Sequence, residues 1–217
     1  MINAAIAQTI PTPPGEAKRA LIHAAETIFA RDGIEGASLR EIAAAAGQRN
    51  HHAVQYHFGT REALVQAVFS YRMWQMEAGR VVMLGDRPDE AIDLRTLIGT
   101  VFLPQIELID AHGDYAYAAF LSQYLMRHEG RGYGNFGEDL PPALARTLML
   151  LRAHMPAMPD TAAQRRLITA CFMFLNILVI HSRGMMGQSE KLELMLDDTI
   201  GQIEAALAAP YAGDAAG

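Results

Sequence analysis

Residues 38–58, SLREIAAAAGQRNHHAVQYHF, decide how the rest of the chain is read. Ser38 and, three residues on, Glu41 form the pattern of a capping box, in which each side chain takes the other residue's unpaired backbone N–H at a helix start. Leu39, Ile42 and Ala43 give one apolar stripe at helical spacing. Gly47 supplies the stop, because glycine enters the left-handed conformation past a helix end at little cost. Asn50 suits the cap of a second short helix, expected over about residues 50–56. Ala53 and Val54 form its inner side, and His51, His52, Gln55, Tyr56 and His57 surround them with hydrogen-bonding groups and no acid. A thin apolar stripe under an acid-free polar face fits a DNA major groove better than a protein core. The stretch predicts a helix-turn-helix.

The flanks extend this unit. A first helix is expected over 16–31, with Leu21, Ile22, Ala25, Ile28 and Phe29 on one face, Glu16 at its positive end and Gly33 closing it. Thr60 suits the cap of a long helix running over about 60–84 through Leu64, Val68, Phe69, Met73, Met76 and Val82 until Gly85-Asp86-Arg87-Pro88 breaks it. Its length makes it a connector between two domains.

Taken together, Phe29-Ala-Arg-Asp-Gly33, the capped Ser38–Gly47 segment, Tyr56-His57-Phe58 and Thr60-Arg-Glu-Ala-Leu64 resemble the DNA-binding domain of the TetR family of bacterial repressors. The likeness covers residues 16 to about 70 and lies in the order and spacing of the pieces. It implies an all-α protein with an N-terminal three-helix reading domain and a helical domain for effector binding and dimerisation. It also implies that Tyr56, His57 and Arg61 hold the DNA backbone, that Thr60 adds a phosphate contact, and that Ser38 and Arg40 face phosphate or base. The chain departs from the family at one place. Eleven residues, Gln48 to Phe58, follow Gly47 where ten are usual, and Arg49 stands where a small apolar residue commonly tucks inward. The extra residue predicts a recognition helix that is displaced or starts elsewhere. Chemically, Arg49 suits guanine, Asn50 and Gln55 suit adenine edges, and His51, His52 and Tyr56 can reach bases or phosphate.

Beyond residue 84 the periodicity predicts helices over 94–109, kinked or ended by Pro104, and over 114–127, 141–155, 162–183 and 191–208, with Thr161 and Gln164 as a second capping box. The resulting division is an arm at 1–14, the reading domain at 15–60, the connector at 60–84, the effector and dimerisation domain at 85–210 and a tail at 211–217. The resemblance implies a cavity for a small effector, here assigned to Met76, Phe102, Tyr117, Phe120, Tyr124, Met149, Phe172 and Asn176. Twelve methionines in the chain suit an adaptable wall and a lipophilic or aromatic ligand, although ordinary core is the simpler reading of any one of them. The last two helices would pair with a second copy, through Phe174, Ile177, His181, Met195 and Ile203. The charge-free run 167–180 is either buried on all sides or shared between a core and a subunit interface, since a helix with one solvent face carries charge on it; the resemblance favours the interface.

Composition bounds the alternatives. The 217 residues are 51% hydrophobic but only 7% aromatic, with few alternating β-branched runs, so an almost all-helical fold is expected. Net charge is −6, yet residues 15–72 carry +1 and the remainder −7, an asymmetry that fits a DNA-reading end on an acidic body. Cys171 stands alone in an apolar run and reads as a small buried hydrophobe. The N-terminus lacks the basic start of a signal peptide, and the run 167–180 is too short to cross a bilayer, so the cytoplasm is the expected location, with no membrane partner. His51, His52 and His57 are not spaced as zinc ligands, so no metal and no cofactor are expected. Gly132-Tyr-Gly134-Asn-Phe-Gly137 matches a dinucleotide-loop pattern but lacks the preceding strand and following helix, and the stretch 130–139 reads as a loop. An enzyme lacks support: no nucleophile elbow, paired carboxylates or metal set is visible. The partners expected are operator DNA, a second copy of the chain and a small-molecule effector; control by a protein partner is the alternative.

Overall fold

The computed structural model describes residues 11–127, 140–185 and 190–212. The loop at 130–139 with its glycine motif, His128, and most of the expected arm and tail lie outside these. Among the described residues the regular structure is helical throughout. The α-helices are α1 Glu16–Asp32, α2 Leu39–Ala45, α3 Ala53–Phe58, α4 Arg61–Gln75, α5 Glu77–Leu84, α6 Leu94–Phe102, α7 Ala116–Arg127, α8 Pro142–His154, α9 Asp160–Ser182 and α10 Leu192–Ala208. Short 3₁₀ turns occupy Asp89–Ala91 and Leu103–Leu108.

The α1 stripe is buried as expected, with Leu21, Ile22, Ala25, Ile28 and Phe29 meeting Ile42, Ala43, Ala53, Val54, Leu64 and Val68. Pro104 ends α6 and tips the chain into the 3₁₀ turn, since it lacks the N–H that the helix needs. Helix α9 begins at Asp160 behind Pro159 rather than at a Thr161 cap, because Pro159 presets the entry and Asp160 supplies the first-turn acid.

The connector is the main correction. It is two helices broken at Met76, not one. Arg80, one turn into α5, is buried and folds back to donate from Nη1 to the Met73 carbonyl at 2.9 Å, a side chain inserted into the backbone ladder at the break. Glu77 beside it is fully buried and accepts from the Ala143 N–H at the start of α8. The break is therefore held within the connector by Arg80 and tied to the body of the protein by Glu77.

Reading domain and body share one hydrophobic cluster, running from Leu21 to Leu207. Helix α7 is the main bridge. Phe120 stacks on Phe29 of α1 at 5.9 Å, Tyr124 stacks on Phe69 of α4 at 4.9 Å, and the Tyr124 hydroxyl donates to Gln66 at 3.0 Å. At its end Arg127 pairs with Glu35 and Glu62, on either side of the helix-turn-helix.

Helix α9 is 23 residues long, close to the expected 162–183, and by length and composition alone it could cross a membrane. Only 28% of its most apolar 18-residue window is buried, with α7 and α10 packed along it.

Candidate nucleic-acid interface

Helix α2 starts on Ser38, whose Oγ accepts from the Glu41 N–H at 3.4 Å. The other half of the expected box is replaced: the Glu41 carboxylate accepts from Arg31 at 2.6 Å and ties α2 to the end of α1. At the other end Gly47 has φ +69°, and the Gln48 N–H donates to the Ala43 carbonyl while the Gly47 N–H donates to Ala44, both at 2.9 Å. This pair of bonds satisfies the last carbonyls of α2 and turns the chain sharply.

The extra turn residue is accommodated here. Asn50 does not open the second helix directly. Its Oδ1 accepts from the His52 N–H at 2.9 Å, and its carbonyl accepts from the Ala53 N–H at 3.0 Å. His51 and His52 thus form a closed turn, and α3 begins at Ala53, three residues later than expected, running to Phe58. Ala53 and Val54 anchor it in the core, and Gly59, at φ +77°, closes it. Thr60 then caps α4, its Oγ1 accepting from the Ala63 N–H at 3.1 Å, which leaves the hydroxyl proton available as a donor.

Ser38, Arg40, Arg49, Asn50, His51, His52, Gln55 and Thr60 are exposed, and Tyr56 is 83% exposed. No Asp or Glu interrupts the sequence from Gly47 to Arg61. His57 and Phe58 are half-buried, with Tyr56 and His57 edge to face at 5.0 Å. Arg61 is half-buried, and its Nη1 donates to the Ile34 carbonyl at 2.7 Å, bracing the loop before α2. Lys18, which no motif in the sequence marks, joins this surface. Its ammonium lies 5.2 Å from the centre of the Phe58 ring, bringing a cation from the first turn of α1 to the end of α3. Only its place early in α1 hinted at this.

The other assigned residues divide. Met76, Phe102, Tyr117, Phe120 and Tyr124 are buried, with Tyr117 and Tyr124 each 6.0 Å from Phe120. Phe172 is half-buried. Met149 and Asn176 are exposed; Met149 shares its helical stripe with exposed Ala145, opposite the inward face of Leu144, Thr147 and Leu151. Phe174 and Ile203, assigned to a subunit contact, are fully buried in the chain's own core, Phe174 stacking on Phe102 at 5.1 Å. Ile177, His181 and Met195 are half-buried. Burial pushes the Cys171 thiol up to about 12, so it stays protonated near neutral pH. Among the described residues no group of three His, Cys, Asp or Glu side chains is placed to hold a metal.

Residues 21–68, which hold the helix-turn-helix and all of α1 but its first residues, match the family model of the bacterial regulatory proteins of the tetR family. The N-terminal domain belongs to the TetR family. The fold likeness extends over 91% of the chain. A TetR-family regulator from Streptomyces coelicolor A3 superposes with a TM-score of 0.50 at 15% identity, covering 91% of this chain and 98% of that one. A protein solved in work on the molecular basis for control of antibiotic production by bacterial hormones superposes with a TM-score of 0.51 at 21% identity, covering 91% of this chain and 100% of that one. None of the curated proteins matches the chain. The TetR reading domain is thus set on a helical body whose architecture these solved structures share.

Proposed function

We propose that this TetR-family protein is a homodimeric transcription regulator, most simply a cytoplasmic repressor, which reads a palindromic operator with α3 and releases it when a small molecule binds the helical body. The exposed, acid-free surface of residues 47–61, anchored by Ala53 and Val54, carries this reading. Gln55 and Tyr56 project from α3 toward the base edges. Arg40, Arg49, His51, His52 and Lys18 supply phosphate contacts. Arg61 braces the loop and adds to the positive field rather than gripping DNA with its whole guanidinium.

One six-residue helix reads too few base pairs for specificity, so two must act together. The sparsely buried, uncharged face of α9 supports pairing with a second copy through half-buried Ile177 and His181, with Met195 of α10 beside them. Effector binding must favour one setting of the connector over another, or nothing shifts. The Met76 break and the α7 bridge are where such a difference would reach the reading domain.

A mobility-shift assay on the DNA flanking the gene, repeated over a salt series, tests the reading. A sequence-specific complex whose affinity falls steeply with salt is expected. Equal affinity for unrelated DNA of the same length would overturn it.

A further inference from the structure

Pro11, Pro13 and Pro14, ahead of α1, line one side of a channel of about 410 Å³ whose other walls are α1 and α4. That volume is in the range of small-molecule sites. Proline fixes its own backbone and has no N–H, so this segment is stiff and brings only one backbone donor, that of Thr12, to the channel.

On α4 the wall is Ala67, Ser70, Tyr71 and Trp74, spaced as one helical face over two turns, a length of about 10 Å. On α1 it is Lys18 and Ile22, one turn apart. Two contacts fix the direction of the channel. The Lys18 ammonium lies 5.2 Å from the centre of the Phe58 ring, where α3 ends, and His23, next to Ile22, meets Tyr71 edge to face at 5.3 Å. Lys18 therefore stands at the end nearer the recognition helix, and Trp74 at the end nearer the connector break. Polar groups along the α4 wall are already engaged: Ser70 Oγ accepts from Gln66 at 3.3 Å, and Gln75 Oε1 accepts from Arg72 at 2.6 Å. The Arg72 guanidinium, 5.8 Å from the Tyr71 ring centre, is paired with Glu26. Lys18 differs. It is the one charged residue of the lining, no Asp or Glu lies beside it there, and among the described residues it pairs with no carboxylate.

We infer that this channel is a binding site for an extended apolar monocarboxylate, with the carboxylate on Lys18 and the body lying along Tyr71 and Trp74 against the proline segment. The site belongs to the reading domain and stands independently of the effector reading above, which concerns the helical body. The aromatic and proline surfaces gain by taking an apolar chain out of water. Lys18 is half-buried, so a carboxylate beside its ammonium is screened less than at an open surface and gains more from the charged hydrogen bond. A cationic ligand would face Lys18 with no acid in the lining to offset it, and a neutral one would leave that charge unanswered. An occupied channel would also engage the cation that Lys18 brings to the end of α3.

Trp74 is the only tryptophan of the chain, so its fluorescence reports on the channel directly. The full chain without DNA is titrated with octanoate, octan-1-ol and octylammonium, which share one apolar body and differ in charge. Octanoate is expected to change the emission saturably and to bind about tenfold more tightly than either of the others. Lys18→Met should abolish that preference while leaving octan-1-ol binding unchanged, and Lys18→Arg, which keeps the charge, should retain most of it. Arg19→Met removes the neighbouring exposed cation, which does not line the channel, and should leave octanoate affinity unchanged. No saturable change with octanoate, equal affinity for the three probes, or an unchanged preference in Lys18→Met would overturn the site. So would loss of the preference in Lys18→Arg, or an equal loss in Arg19→Met, which would reduce it to the general charge of the surface.

Discussion

Arg72 on α4 grips Glu26 on α1 through both ends of its guanidinium, Nε to Oε2 at 2.6 Å and Nη2 to Oε1 at 2.7 Å, with both side chains buried. This pair ties the first helix of the reading domain to the helix that leads into the body, 46 residues apart in sequence. Burial opposes the charge on Arg72, but the Glu26 hydrogen bonds and field outweigh it and raise its pKa above the ordinary value. Removing one partner strands the other. Glu26→Ala should therefore destabilise the protein by about 3–5 kcal/mol, whereas the double variant Glu26→Leu/Arg72→Met should recover most of that loss. Urea unfolding of the three proteins checks this; equal losses in the single and double variants would show that the charges are not coupled.

His23 completes that cluster and gives it a pH dependence. Its Nδ1 lies 3.3 Å from Arg72 Nη2, and because Arg only donates, Nδ1 accepts and the ring is neutral. Burial first, then the fields of Arg72 and Arg19, hold its pKa below the ordinary 6.5. The unfolded chain therefore binds the proton more readily than the folded one. Its contribution is fully present above about pH 6.5 and is lost as pH falls through that value toward the lower folded pKa. Between pH 7.5 and 5.5, the Tm of the unsubstituted protein should fall more than that of His23→Gln. Parallel curves would remove His23 from the account.

Gly47 is a local test of the turn. A Cβ there meets nothing within 4 Å, so substitution acts through the backbone conformation at φ +69° alone. Gly47→Ala should lower stability by about 1 kcal/mol and weaken DNA binding further by loosening the entry to α3. Thermal unfolding and operator titration of the same sample would show both effects. An unchanged stability would mean that the turn relaxes into another shape.

How much of this was legible beforehand depended on distance along the chain. The Ser38 cap, the Gly47 stop and the α1 stripe are written in residues within one or two turns of each other, and the sequence reading placed them. The late start of α3 needed the Asn50–His52 bond, which competes with helix over the same residues. The break at Met76 was not legible. Arg80 falls on a helical stripe where any long side chain continues the pattern, and only the packing of α5 against α6 and α8 turns it inward. The inward positions of Phe174 and Ile203 and the outward position of Met149 likewise depend on which face of each helix its neighbours cover, which periodicity alone does not say.

We propose that Arg61 braces the reading domain rather than gripping the DNA backbone. Its bond to the Ile34 carbonyl braces the loop before α2. Arg61→Ala should lower stability by about 1–2 kcal/mol in the absence of DNA. Arg49→Ala, at an exposed position, should leave stability unchanged and reduce the salt dependence of operator binding by about one phosphate contact. Thermal unfolding and a salt series on the two variants separate the roles; a stable Arg61→Ala protein with a reduced salt slope would return Arg61 to the DNA backbone.

Selection from a random duplex library with the full chain and with Gln55→Ala tests the central claim most directly. The account predicts a palindromic site with half-sites about one helical turn apart, bound by two copies of the chain, and a relaxed preference at one base pair per half-site in the variant. Enrichment of no common sequence by the unsubstituted protein, or the same site with undiminished preference in Gln55→Ala, would contradict α3 as the reading helix.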